Sequence, residues 1–197
     1  MRIDTQAILP IIIFGRPFTF LDIGCSSPEE SCCYPLIELE CEGHFVDINH
    51  FDGWDGLNFH QIDATKTNWD FIEKAEFIQI DVEGIGQRFE VLKSLPLDRL
   101  DTKIISIEHD GYRTKHHKYD FDSAERNPQR EYLKYYGYNI LYRDVSNQDG
   151  EAYEDWWIRN DLWKQNKYLY CENGNDSEIY INLNEIWEEN TYQHWVN

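Results

Sequence analysis

Five short apolar runs that each end in an acidic residue dominate the hydrophobic pattern of the chain. The clearest is residues 77–84 (FIQIDVEG), where apolar or neutral residues lead directly into Asp81 and Glu83. Such a run is typical of a parallel strand that is buried on both faces of a sheet. Ligands bind at the carboxyl edge of sheets of this kind. The acids at the strand ends are therefore the first candidates for a functional site.

The same pattern recurs in four other places along the chain. It is found in residues 18–24 (FTFLDIG), 44–49 (HFVDIN), 59–64 (FHQIDA) and 103–110 (KIISIEHD). Helical spacing and stop signals predict short helices between and after these strands, around residues 33–41, 68–74, 88–95 and 128–136. Strands that alternate with helices indicate an α/β fold.

The final third of the chain changes from this alternation to a different pattern. Residues 138–145 and 153–159 predict an antiparallel hairpin across the turn-rich SNQDGEA, and a helical run follows near residues 184–189. We therefore predict one domain over residues 1–197, with a core at 18–160 and a C-terminal extension at 161–197. Its fold class is α/β, a doubly wound and mostly parallel sheet that ends in a C-terminal antiparallel hairpin.

The charge of the chain limits its partners. A net charge of -19 lacks the basic footprint that nucleic-acid binding requires, and it disfavours an anionic membrane surface. We expect no nucleic-acid or membrane partner. The apolar run at residues 7–14 is interrupted by Pro10 and is too short to span a bilayer, so it is interpreted as a buried segment. Five cysteines without metal-ligand spacing indicate reduced thiols in a cytoplasmic protein.

Three strand-end acids suit an adenosine ligand without phosphates. Asp22 and Gly24 end the first strand, but the two further glycines of a dinucleotide fingerprint are missing. Asp47 ends the next strand, where acids characteristically bind ribose hydroxyls. Asp63 ends the third strand, where it or a neighbouring backbone group can meet an adenine amino group. For Asp47 and Asp63 the alternative is a solvated loop acid.

The ordered motifs LDIG, VDIN, QIDAT, QIDVEG and SIEHD resemble those of class I S-adenosylmethionine-dependent methyltransferases. QIDVEG followed by RFEVLKSL is similar to the FkbM-type branch. The resemblance implies methyl transfer from S-adenosylmethionine to a hydroxyl of a sugar or polyketide. By position it implies a methionine contact at Asp22, Gly24, Cys25 and Ser26, a ribose contact at Asp47 and an adenine contact at Asp63. Ile48, Ala64 and Asp81 are the further residues expected to bind the cofactor.

Four polar groups at two neighbouring strand ends are the candidates for the reaction. Adjacent parallel strands lie about 5 Å apart, so Asp81, Glu83, Glu108 and His109 are expected to converge. Asp81, Glu108 and His109 would suit a divalent cation, Mg²⁺ or Mn²⁺, that holds the acceptor. Without a metal, His109 is the expected base, and Glu83 and Asp81 are further catalytic candidates. The alternative is that Glu83 caps the next helix and Asp81 binds loop amides.

The acceptor is expected to be a neutral sugar or glycoconjugate. One of Trp156 and Trp157 is a candidate for stacking on the sugar ring, since consecutive strand residues face opposite sides of the sheet. Two other functions stay open, a nicotinamide-dependent oxidoreductase and a non-catalytic binding protein with the same fold. The missing glycines disfavour the first, and the five acid-ended strands disfavour the second. A homo-oligomer is also left open.

Overall fold

A central eight-stranded sheet organises the part of the chain that the structure describes. The structure is a computed structural model, and it describes residues 5–115 and 118–191. The strands are β1 (Thr19–Ile23), β2 (Glu42–Asp47), β3 (Asn58–Gln61), β4 (Phe77–Ile80), β5 (Ile104–Glu108), β6 (Tyr138–Ser146), β7 (Ala152–Arg159) and β8 (Cys171–Glu172).

The sheet is mixed, and its strand order is β3-β2-β1-β4-β5-β7-β6-β8. Strands β1 to β5 pair in parallel. Strand β7 lies between β5 and β6 and is antiparallel to both, whereas β8 is parallel to β6. The chain first runs outward from β1 to β3 and then returns to β4 on the other side of β1. The carboxyl ends of β1 and β4 therefore flank the point where the strand order reverses, which is where ligands bind in sheets of this kind.

The α-helices of the described residues are α1 (Thr5–Phe14), α2 (Gln87–Ser94), α3 (Asn127–Tyr135), α4 (Asn160–Asn166) and α5 (Asp176–Thr191). The helix expected between the first two strands is a 3-10 helix, Tyr34–Leu39, with its proline in the first turn. None of these helices is both long enough and apolar enough to cross a bilayer.

The helix expected at residues 68–74 is wrong, because the structure has turns there. Trp69 takes a left-handed backbone conformation with φ of 59°. The Arg99 guanidinium then donates to the carbonyl oxygens of Trp69 and Ile72 at 2.8 and 2.7 Å. These side-chain bonds replace the regular backbone pairing of a helix.

Two apolar cores lie on the two faces of the sheet. Phe20 and Trp156 belong to one core, and Leu21 and Trp157 belong to the other. Both tryptophans are fully buried, at 0% and 1% exposure. The expectation that one of them stacks on a sugar ring is therefore wrong. Helix α1 is buried, as expected for its apolar run, and it packs against α5.

Candidate active site at the strand ends

The turn after β1 brings the ends of β1 and β4 into direct contact. Gly24 has φ of +85°, and its amide donates to the carbonyl oxygen of Val46 at 2.8 Å. A Cβ at this position would lie 1.8 Å from the carbonyl oxygen of Asp81. Both the backbone angle and the close approach require glycine. This turn forms the centre of the site.

Two cavities meet at this turn, and both are lined by Gly24, Ser26 and Asp81. The smaller, of about 350 Å³, extends over the ends of β2 and β3. The larger, of about 520 Å³, extends toward β5 and the beginning of α5. The smaller cavity includes Asp47, Ile48, Asp63 and Ala64, and the larger includes Asp22, Cys25, Gln79 and Glu108. All the residues expected to contact a cofactor therefore lie on one continuous surface.

Asp47 fixes the loop that joins the two cavities. Its Oδ2 accepts from the amide of Ser26 at 3.1 Å, and its Oδ1 accepts from the amide of Asn49 at 2.8 Å. Each carboxylate oxygen has a further lone pair for a ligand. Beside it, Ile48 is 63% exposed and forms part of the cavity rim.

The Asp63 carboxylate is used within its own turn. Oδ1 accepts from the amide and the hydroxyl of Thr65, at 3.0 and 2.6 Å, and Oδ2 pairs with Lys66 Nζ at 2.6 Å. Lys66 and Thr65 lower the pKa of Asp63 to about 2. The side chain therefore shapes the turn next to Ala64, and both of its oxygens are already engaged within that turn.

Asp22 lies buried in the wall of the larger cavity, at 2% exposure. Ser31 Oγ donates to its Oδ2 at 2.6 Å. Burial nevertheless raises the pKa of Asp22 to about 7, because desolvation outweighs this hydrogen bond.

A buried arginine contacts the acids at the ends of β4 and β5. Arg88 of α2 is 1% exposed, and its Nη2 lies 2.7 Å from Glu108 Oε2, 3.1 Å from Asp110 Oδ2 and 3.7 Å from Asp81 Oδ1. Burial and the neighbouring Asp81 carboxylate raise the pKa of Glu108 despite this cation. Arg88 was not among the residues predicted from the sequence. The available signal was a basic residue at the start of the helix that directly follows an acid-ended strand.

His109 does not join Asp81 and Glu108. Its ring is fully buried, Nδ1 accepts from the amide of Gly111 at 3.0 Å, and Nε2 lies 3.7 Å from Asp155 and 3.8 Å from Asp144. Consecutive residues at the end of β5 point to opposite faces, which explains the error. His109 lines neither of the two cavities, whereas Glu83 is exposed at the rim of the smaller one.

The expected metal cluster is therefore wrong in its geometry. Asp81 and Glu108 share the Arg88 guanidinium, and His109 lies apart from them. In residues 5–115 and 118–191, three ligand atoms come together only in His109–Asp144–Asp155 and in Asp22–Cys32–Cys33. The residues at the ends of β4 and β5 do not fit Mg²⁺ or Mn²⁺, because a fixed guanidinium already stands among their carboxylates.

A second buried acid lies behind the larger cavity and was also missed. Glu154 of β7 is 0% exposed, accepts from the Ser106 hydroxyl, and accepts from Gln6 Nε2 at 3.2 Å. Burial raises its pKa to about 7. Gln6 and Gln79 face the cavity, so Glu154 orients the amide groups there. No local pattern indicates this contact, because it depends on the insertion of β7 beside β5.

Comparisons with known proteins agree with this architecture. No protein-family model matches the chain, and no curated protein matches it. Among solved structures, the chain is similar to the plantazolicin methyltransferase BpumL in complex with SAH. The two share 15% identity over 79% of this chain and 81% of the other, with a TM-score of 0.51. The chain shares the fold of this methyltransferase.

Two more methyltransferase structures show a weaker likeness. One is a putative methyltransferase from Streptococcus mutans in complex with SAH, with 8% identity over 78% of this chain and 93% of the other and a TM-score of 0.46. The other is the methyltransferase domain of bacterial CtHen1-C, with 9% identity over 79% and 97% and a TM-score of 0.47. Scores below 0.5 add nothing further about the fold.

Acidic side chains line the larger cavity of this methyltransferase fold. They belong to Asp22, Glu30, Asp81, Glu108 and Asp176, and no lysine or arginine lines this cavity among the described residues. A cavity of this kind favours a cationic or neutral ligand over an anion. Helix α5 also contributes Tyr180 and Ile181, so the C-terminal extension forms part of the site.

Proposed function

We propose that the chain binds S-adenosylmethionine in the two joined cavities and transfers the methyl group to a hydroxyl of a sugar or glycoconjugate, as an FkbM-type enzyme. The observation that carries this proposal is the contact between Gly24 and Asp81. It joins the adenosine-sized pocket beside Asp47 to the acidic pocket beside Asp22 without any side chain between them.

Each part of the cofactor has a matching surface. The ribose hydroxyls would donate to Asp47, and the adenine would lie against Ile48 and Ala64 in the turn shaped by Asp63. The methionine part would lie near Asp22, Gly24, Cys25 and Ser26. The cationic sulfonium would then face Asp81, which supplies the opposite charge.

Asp81 is the proposed base for the acceptor hydroxyl. Its side chain is 46% exposed and lies on both cavities, so it can reach the cofactor and an acceptor. In the transfer, the acceptor oxygen forms a bond to the methyl carbon while the bond from sulfur to that carbon breaks. Asp81 takes the hydroxyl proton, and S-adenosylhomocysteine leaves. Glu108 would position Asp81, since its raised pKa favours a proton that it can share.

The neutral acceptor would bind to the polar groups between α1 and α5. Gln6, Gln79 and Tyr180 line this end of the larger cavity and offer donors and acceptors to sugar hydroxyls. A second candidate acceptor is a basic amine, because five carboxylates line the same cavity. These two acceptor classes differ in charge and can be separated by experiment.

A transfer assay with methyl-labelled S-adenosylmethionine tests the proposal. Neutral saccharides and basic amines or peptides are offered in parallel. We expect label in a saccharide, with a kcat at least 100-fold lower in Asp81→Asn. The matched control is Glu90→Gln, since Glu90 is an exposed residue of α2 outside the cavities. Label found only in amines would replace the sugar with the second candidate, and unchanged turnover in Asp81→Asn would overturn the base assignment.

A further inference from the structure

Two adjacent cysteines face a buried carboxylate in the wall of the larger cavity. Cys32 is half-buried, Cys33 is fully buried, and their Sγ atoms lie 3.6 Å apart. One carboxylate oxygen of Asp22 completes a set of three ligand atoms that all lie within 4.8 Å of one another. Asp22 and Cys32 also line the cavity.

The sulfur separation matches a shared metal better than a covalent bond. Two thiolates at about 2.3 Å from a tetrahedral zinc ion lie about 3.8 Å apart. A disulfide requires about 2.05 Å between the sulfurs. Closing a disulfide would therefore require the sulfurs to approach by about 1.5 Å, whereas their separation is already within a few tenths of an ångström of the value around a shared zinc ion.

We propose that Asp22, Cys32 and Cys33 form a binding site for a thiophilic divalent cation of the zinc class. Thiolates select such cations over Mg²⁺ and Ca²⁺, and a carboxylate is a usual third ligand. Asp22 and Cys32 line the larger cavity, so a water molecule or a ligand atom from that cavity could supply a fourth ligand. The site is separate from the strand-end acids that Arg88 neutralises.

The surroundings of the cluster support a ligand role. Ser31 Oγ donates to Asp22 Oδ2 at 2.6 Å and accepts from the amide of Tyr34 at 3.0 Å, so the carboxylate is held against the cysteine loop. Hydrogen bonds of this kind orient metal ligands.

This site shares Asp22 with the proposed cofactor site. A bound cation would engage the carboxylate that the methionine part is expected to meet, so the cation would act as an inhibitor of cofactor binding. The metal test is made without S-adenosylmethionine. If no metal binds, the cofactor proposal is therefore unaffected. If S-adenosylmethionine does not bind, the metal proposal is likewise unaffected.

Cadmium is the probe, since thiolate ligation of cadmium gives an ultraviolet charge-transfer band. Titration of the reduced full chain should show one saturable equivalent, which zinc displaces. Cys32→Ser and Cys33→Ser should each lower the affinity by more than about 100-fold, beyond the usual effect of losing an outer-shell contact. Asp22→Asn should lower it by about tenfold or more. The matched control is Cys171→Ser, a half-buried cysteine of β8 that should keep the full affinity.

Far-ultraviolet circular dichroism of each variant confirms folding, and Cys32→Ser decides the outcome if Cys33→Ser does not fold. The proposal is overturned if the wild-type chain shows no saturable band, or if the band survives in Cys32→Ser. It is also overturned if Cys171→Ser loses the band. Full affinity in Asp22→Asn would overturn the assignment of the carboxylate.

Discussion

Gly24 packs so closely against Asp81 that a Cβ on Gly24 would lie 1.8 Å from the Asp81 carbonyl oxygen. The contact joins the carboxyl ends of two neighbouring parallel strands, β1 and β4. Neither a side chain nor a different backbone angle is tolerated there, because Gly24 also has φ of +85°. The continuity of the two cavities depends on this contact.

Gly24→Ala should therefore lower both stability and cofactor affinity. The left-handed backbone costs about 1–2 kcal/mol for an alanine, and the clash with Asp81 adds about 1–3 kcal/mol. We expect the free energy of unfolding to fall by the sum of these two costs, as measured by chemical denaturation.

The matched control for this change is Gly150→Ala. Gly150 has φ of +74°, and its Cβ would meet nothing within 4 Å. Gly150→Ala should therefore lower the free energy of unfolding only by the cost of placing an alanine in the left-handed backbone conformation. Equal losses in the two variants would mean that the contact with Asp81 adds no energy.

Arg88→Leu should destabilise the fold strongly at neutral pH. It would leave the buried Asp110 carboxylate without the cation that lies 3.1 Å away, and the partly exposed Arg113, at 3.2 Å, would be its remaining partner. Removing one partner of a buried ion pair costs about 3–5 kcal/mol. Part of the loss should be recovered on acidification, since protonation of the carboxylate removes its charge. Denaturation at two pH values measures both effects.

Lys93→Met is the control on the same helix. Lys93 pairs with Glu90 at 2.8 Å on the exposed face of α2. Its loss should cost at most about 0.5 kcal/mol. If Arg88→Leu lowered the free energy of unfolding no more than Lys93→Met does, the stabilising role of Arg88 among the strand-end acids would be refuted.

Glu154 should make the protein less stable as pH rises. Its pKa is raised from 4.5 to about 7 by burial, so the folded state binds more protons than the unfolded state between these values. The free energy of unfolding then falls through that window, with a slope of at most about 1.4 kcal/mol per pH unit. Asp22 contributes in the same direction, since its pKa is also raised to about 7. Glu154→Gln should make the profile flatter.

Glu76→Gln gives the opposite case as a control. Although burial acts to raise it, the pKa of Glu76 is lowered to about 2 by Arg16, Lys103 and Lys74. Its contribution is complete above pH 4.5 and is lost only at lower pH. The stability difference between the wild type and Glu76→Gln should therefore be constant from pH 5 to 7. A profile for Glu154→Gln that runs parallel to the wild type would show that Glu154 is already charged at pH 5.

The strands and the acids that line the two cavities were predictable because their signals are local. An apolar run that ends in an acid marks the end of a parallel strand, and Asp22, Asp47 and Asp81 all lie at the cavities. The expected position of His109 beside Asp81 was wrong. The short distance between neighbouring strands brings their ends together, but side chains also alternate between the two faces of the sheet along the chain. That alternation puts Glu108 and His109 on opposite faces.

Other features of the site depend on contacts between distant parts of the chain. Glu154 reaches the cavity only because β7 inserts between β5 and β6. Helix α5 covers the site by packing on α1, at the other end of the sequence. The helix expected at residues 68–74 is absent for the same kind of reason. Arg99, which lies outside this segment, donates hydrogen bonds to the carbonyl oxygens of its turns. Tertiary contacts of this kind leave no periodic signal in the sequence.

Calorimetric titration of the chain with S-adenosylmethionine, and separately with NAD, tests the central claim most directly. We expect S-adenosylmethionine to bind at one site per chain and NAD not to bind. Asp47→Ala should weaken the binding by about 2 kcal/mol, or about 30-fold, through the loss of two charge-assisted hydrogen bonds. Asp52→Ala, which removes the same charge from an exposed position nearby, should change nothing. Tighter binding of NAD, or an unchanged affinity in Asp47→Ala, would contradict the account.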